Sequence, residues 1–147
     1  MMETGSRSVS PLGDILVIED NRDSRDILSK LLRMSGYSVL AAQDGEMGYR
    51  TAVTHAPDLI ITDINMPKMD GIEFVKRIRA NSLLTSVPVL VVTAFGSSVV
   101  REAIDAGADA SAEKPFDFDA FLEVVRDLID GRKRRPGNQN CEVAPLA

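Results

Sequence analysis

The chain has 147 residues, 44% of them hydrophobic, 27% charged and 5% aromatic, which suits one soluble domain large enough to bury a core. No stretch approaches the roughly 18 apolar residues that span a bilayer, and the opening MMETGSRSVSPLGD lacks the apolar centre of a signal peptide, so a cytoplasmic location without a membrane partner is expected. A net charge of -5 argues against nonspecific nucleic-acid binding, and the lone Cys141, in a polar segment, excludes an internal disulfide framework.

Residues 1 to 13 read as a disordered lead-in, rich in Ser and Gly. Ile15-Leu16-Val17-Ile18 is a continuous apolar run cut off by Glu19-Asp20-Asn21, the pattern of a strand buried on both faces. Asn21 can cap a helix in which Ile27, Leu28, Leu31, Leu32 and Met34 recur at helical spacing until Gly36. Val39 to Ala42 reads as a second strand, and Asp44 opens a second helix that ends before Pro57. Leu59 to Thr62 reads as a third strand, closed by Asp63, and Asp70 caps a helix holding Ile72, Phe74, Val75 and Ile78. The fourth strand is expected from Val87 to Val92, ending at Thr93, followed by a helix from Ser97 to Ala106 that stops at Gly107. A fifth strand is expected from Asp109 to Glu113, before Lys114-Pro115, and Asp117 caps a last helix carrying Phe118, Phe121, Leu122, Val125, Leu128 and Ile129. After Ile129 the apolar pattern collapses, so residues 131–147 read as a polar, basic tail or linker stump and residues 14–130 as the folded domain. Strict strand-helix alternation predicts an α/β fold with a doubly wound parallel sheet and helices on both faces.

In an open parallel sheet, ligands bind beyond the carboxyl ends of the strands. The polar residues that follow the apolar runs are Glu19 and Asp20, Asp63, Thr93 and Lys114. Three carboxylates crowded together repel one another, and a hard dication with oxygen ligands is the natural compensation.

The set Glu19-Asp20, Asp63-Ile64-Asn65-Met66-Pro67-Lys68-Met69-Asp70-Gly71, Thr93-Ala94 and Lys114-Pro115-Phe116 resembles the receiver domain of two-component response regulators over roughly residues 14 to 130. The resemblance implies a flavodoxin-like, five-stranded sheet in the order 2-1-3-4-5. It implies phosphorylation on Asp63, with Mg2+ or Mn2+ ligated by Asp20, Asp63 and the main-chain carbonyl of Asn65, and with Glu19 holding metal-bound water. It further implies that Lys114 pairs with Asp63 and then with a phosphoryl oxygen, and that Thr93 moves to hydrogen-bond the phosphoryl group. The implied partners are a histidine kinase or histidine phosphotransfer protein, and a downstream protein or second copy at the surface of helix 4, strand 5 and helix 5. The domain would catalyse its own phosphorylation and dephosphorylation rather than turn over a separate substrate. One position departs from the family: Ser111 stands where an aromatic residue usually reports the switch, so the chain either relies on Thr93 and the loop around Phe95, which is the favoured reading, or switches weakly.

Plainer readings compete at several positions. An acidic pair at a strand end is commonly just solvated, Thr93 could be a helix cap, and His55, late in a helix, reads as a surface residue. Asp70 and Gly71 read as structure beside the site. The run Arg132-Lys133-Arg134-Arg135 reads as a solvated tail or linker. A flavodoxin-like cofactor carrier would need a phosphate-binding loop after the first strand, where acids stand instead. An aspartyl-phosphate phosphatase would carry its nucleophile after strand one rather than strand three.

Overall fold

Alternating residues of each strand run belong to opposite faces of one sheet, which is why these runs are apolar throughout. The computed structural model describes residues 12–66, 68–94, 98–114 and 117–134. In chain order the elements are β1 (Asp14–Ile18), α1 (Arg22–Met34), β2 (Ser38–Ala42), α2 (Gly45–His55), β3 (Leu59–Asp63), α3 (Gly71–Ala80), β4 (Val89–Ala94), α4 (Val100–Ala106), β5 (Ala110–Lys114) and α5 (Phe118–Arg134). All four strand pairings are parallel, as the alternation implied, and the order is β2-β1-β3-β4-β5, as the resemblance implied. Leu16, Ile18, Ile60, Val89 and Val91 join side chains of α2, α3 and α4 in one core, whereas Ile15, Val17, Ile61, Leu90 and Val92 join α1 and α5 in the other.

Side-chain caps start four of the helices, the last being α5, where the Asp117 carboxylate accepts from the Asp119 N–H at 3.3 Å. Asn21, Asp44 and Asp70 accept from the backbone N–H three residues on, at 2.9, 2.8 and 2.9 Å, each satisfying one of the unpaired first-turn donors. α4 has no such cap and begins at Val100 rather than at the expected Ser97. Gly107 ends it at φ 124°, a conformation that glycine adopts without penalty.

Four further boundaries shift, each for a local reason. β4 starts at Val89, not Val87, because the Val87 N–H is taken by the Leu84 carbonyl in a turn and Pro88 has no N–H to give. At their other ends β4 and β5 extend through Thr93, Ala94 and Lys114, since the ladder pairs Thr93 with Glu113 and Ala94 with Lys114. α5 continues past Ile129 to Arg134, so the expected tail begins as helix. Arg132 is correspondingly no solvated tail residue: its guanidinium donates to the Pro57 carbonyl at 3.1 Å and to the Asp58 carboxylate at 3.2 Å. Asp58 in turn accepts from the Asp14 N–H at 2.9 Å, tying the helix end to the base of β1.

α1 is the other place where periodicity overreached. Leu32 is fully buried, but Ile27 and Met34 of the same apolar set are 60% and 74% exposed. His55 is exposed in the last turn of α2, as its plain reading held.

Candidate functional site

The carboxyl ends of β1, β3 and β5 bring together residues far apart in sequence. One carboxylate oxygen each from Glu19, Asp20 and Asp63 lies within 4.8 Å of the other two. The Lys114 ammonium sits 3.0 Å from Glu19 Oε1 and 3.3 Å from Asp63 Oδ2. The Glu19 and Asp63 side chains are only 9% and 12% exposed, so their charges are held in a partly desolvated cleft, with Asp20 at its exposed rim. Asn65 joins the cluster through its main-chain N–H, which donates to Asp63 Oδ1 at 3.2 Å. Partial burial pulls the Lys114 pKa down, but the Glu19 hydrogen bond and the Asp63 and Glu19 charges outweigh it, so the ammonium ends above its ordinary value.

Thr93 stands apart from this contact network. It is fully buried, one residue before the end of β4, and its hydroxyl faces the Ala94 carbonyl at 3.4 Å. Ser111 is half-buried on β5, in register with Val91. Phe95, on which the loop-based switch depends, lies outside the described residues, as do Pro67, Pro115 and Phe116.

Local structure explains why Asp63 is held where it is. α3 begins directly against the strand end: the Gly71 N–H donates to the Ile64 carbonyl at 2.8 Å. A Cβ on Gly71 would lie 2.5 Å from the Asp63 carbonyl oxygen, so only glycine permits this approach. Gly48 allows a similar contact on the neighbouring side, where a Cβ would meet Ile18 Cδ1 at 2.4 Å.

The donor set fits a hard dication. One ammonium against three carboxylates leaves two uncompensated negative charges, and the oxygen-only ligands suit Mg2+ or Mn2+. Asp20, Asp63 and the Asn65 carbonyl would hold the ion, with Glu19 behind them.

Two features had no counterpart in the sequence pattern. Arg25, on the first turn of α1, donates from Nη1 to the main-chain oxygen of Glu19 at 2.8 Å. Helical side chains lean toward the N-terminus, and that rule could have flagged an arginine so near the acidic turn. The second is a groove of about 700 Å3 between α1 and α5, with Asp63 and Lys114 at its polar end and Ile27, Leu31 and Phe118 along its apolar part. Ile27 belongs to the set that recurs at helical spacing along α1, yet it faces outward.

Known proteins share both the sequence and the fold. A family profile for the response regulator receiver domain matches residues 15–126. The DNA-binding dual master transcriptional regulator RpaA of Synechocystis sp. is 39% identical over 123 residues, 83% of this chain and 51% of its own length. Response regulator MprA of Mycolicibacterium vanbaalenii is 38% identical over 133 residues, 90% of this chain and 56% of its own. The chain thus spans about half the length of these curated relatives. Among solved structures, the chemotaxis response regulator CheY4 of Vibrio cholerae aligns with a TM-score of 0.73 at 30% identity, covering 82% of this chain and 99% of that one. A response regulator receiver domain protein from Clostridium thermocellum aligns with a TM-score of 0.77 at 26% identity, covering 82% and 97%.

Proposed function

This chain belongs to the response regulator receiver domains of two-component systems, and we propose that it accepts a phosphoryl group on Asp63 in a reaction that requires Mg2+ or Mn2+. The observation that carries the reading is the convergence of Glu19, Asp20, Asp63 and Lys114 in one cleft at the carboxyl ends of the strands. A carboxylate oxygen of Asp63 attacks the phosphorus of a phosphohistidine. An O–P bond forms to give an acyl phosphate, the N–P bond breaks, and the donor imidazole leaves. Transfer of this kind depends mainly on in-line positioning and on neutralising charge on the equatorial oxygens. A bound dication would supply part of that neutralisation.

The protein's own groups supply the rest. Lys114, already 3.3 Å from Asp63 Oδ2, exchanges its contact for a phosphoryl oxygen. The Asn65 N–H holds the other carboxylate oxygen and so fixes the side-chain torsion. Thr93 has to turn its hydroxyl from the Ala94 carbonyl toward the phosphoryl group, and that movement carries the signal to α4, β5 and α5. With Ser111 in place of a ring, little apolar area changes hands on β5, so the response runs through the loop after Thr93. The functional unit is residues 14–130 with the last turn of α5, acting in the cytoplasm.

The partner is a histidine kinase or a histidine phosphotransfer protein. Its phosphohistidine must reach Asp63, and the apolar groove that opens on Asp63 offers Ile27, Leu31 and Phe118 to the flank of the donating helix. The output surface is α4-β5-α5, taken by a downstream protein or a second copy.

Incubation of the purified chain with acetyl phosphate and Mg2+ tests the central step. One phosphoryl group is expected by intact mass, absent with EDTA and absent in Asp63→Asn. Undiminished phosphorylation of Asp63→Asn would overturn the assignment.

A further inference from the structure

We propose that Arg25 is a positioning residue for the acid cluster, acting through the strand-to-helix turn that carries Glu19 and Asp20; this rests on the metal site proposed above. The turn is pinned from several directions. The Glu19 N–H donates to the Ala42 carbonyl at 3.1 Å, and the Glu19 carboxylate accepts from the Asn21 N–H at 3.1 Å and from Lys114 at 3.0 Å. The Arg25 guanidinium closes the set by donating to the Glu19 carbonyl at 2.8 Å, while the Arg25 N–H bonds the Asn21 carbonyl at 2.9 Å as part of the first helical turn. Asp20 therefore sits between two residues whose backbones are tied down, although its own side chain is exposed.

The choice of acceptor is the informative point. Arg25 is half-buried against the turn that carries Glu19 and Asp20, yet its described side-chain bond goes to a main-chain oxygen. Lys114 makes the described ion pairs to Glu19 and Asp63. An arginine forked onto Asp20 or Asp63 would cancel the charge that a dication needs. Bonded to the carbonyl, it orders the turn and leaves carboxylate oxygens free for the ion.

This arrangement separates two effects of opposite sign. If Arg25 acted only as a nearby positive charge, removing it would tighten dication binding. If it holds the ligands in place, removing it weakens binding, and loss of groups that orient metal ligands costs about 10- to 100-fold in affinity. Calorimetric titration of Mg2+ into wild type, Arg25→Ala and Arg25→Lys decides between them, with thermal melts in EDTA to verify folding. Arg25→Ala is expected to bind about tenfold or more weakly, and Arg25→Lys, which keeps a donor, to lie closest to wild type. In metal-free Arg25→Ala the amides of Glu19 to Asn21 are expected to exchange faster, while those of β3 keep their protection. Equal or tighter Mg2+ binding in Arg25→Ala overturns the inference. Should Arg25→Ala fail to fold, Arg25→Met takes its place, since it keeps the unbranched apolar stem and removes the charge and the N–H donors together: weaker binding than in wild type supports the inference, and equal or tighter binding overturns it. A wild type that shows no saturable Mg2+ binding sensitive to Asp20→Asn overturns the metal site itself, a result distinct from an unaffected Arg25 variant.

Discussion

Adding one methyl group at each of two glycines should change stability in opposite directions. At Gly71 a Cβ would lie 2.5 Å from the Asp63 carbonyl oxygen and 2.7 Å from Ile64 Cα. Comfortable separations are about 3.5 Å or more, so about 1 Å of displacement falls on two backbones that cannot rotate away. Overpacking of this kind costs about 1–3 kcal/mol, whereas the better helix propensity of alanine returns at most about 1 kcal/mol. Sterics therefore win, and Gly71→Ala should lose roughly 1–2 kcal/mol. Gly131, inside α5, is the counter-case: nothing lies within 4 Å of its Cβ position. There only propensity and the entropy of the unfolded chain operate, and Gly131→Ala should gain about 0.5–1 kcal/mol. The chain has no tryptophan, so urea unfolding followed by circular dichroism is the suitable assay. With a slope of about 1–3 kcal/mol per molar urea, the two midpoints should separate by about 1 M. Folded Gly71→Ala should also accept phosphate more slowly, because the strain falls on the Asp63 main chain. Midpoints that move in the same direction for both variants would refute this packing difference.

Arg79 ties three chain segments together at the far end of the sheet, bonding the carbonyls of Val87 at 2.7 Å and Gly107 at 2.9 Å and the Asp109 carboxylate at 2.7 Å. Burial lowers the Arg79 pKa and raises that of Asp109 despite their pairing, so breaking the pair strands a desolvated charge, and Arg79→Met should cost about 3 kcal/mol in urea melts. A loss below about 1 kcal/mol would show that the clamp is solvated. Because the folded-state pKa of Lys114 is raised above 10.5, its stabilising contribution is fully present below that pH and is lost as pH rises through the folded value. In EDTA, wild type should therefore be more stable than Lys114→Gln at pH 8, with the gap narrowing toward pH 11; a gap that widens would contradict the ion-pair geometry. Ile27→Asp, on the exposed wall of the groove, should slow phosphorylation by a histidine phosphotransfer protein or kinase and leave phosphorylation by acetyl phosphate unchanged. Equal slowing with both donors would mean that the substitution disturbs the site rather than the docking surface.

The core was legible because a buried parallel strand must be apolar on both faces, the sheet order followed from the resemblance to receiver domains, and the caps at Asn21, Asp44 and Asp70 mark where those helices leave the sheet. The acid cluster was legible because Glu19, Asp20 and Asp63 stand immediately after such runs. Three things were hidden, each for a physical reason. Ile27 repeats at core spacing, but a helix does not reveal how wide a stripe its neighbours cover, and the gap between α1 and α5 leaves this residue in the open. Arg132 lay in what read as a basic tail, because its acceptors, Pro57 and Asp58, are distant in sequence and become neighbours only when α5 docks. The extension of β4 and β5 through Thr93 and Lys114 follows from ladder pairing between strands, which no single-strand pattern records.

Whether Asp63 carries the phosphoryl group can be settled by locating that group chemically. After phosphorylation in Mg2+, borohydride reduction converts an aspartyl phosphate to homoserine, and tandem mass spectrometry of the peptides reads its position. Homoserine is expected at position 63, formed only when Mg2+ or Mn2+ is present during phosphorylation and strongly reduced in Lys114→Gln. Homoserine at position 20, or equal labelling without the metal, would contradict phosphorylation of Asp63 at a metal-dependent site.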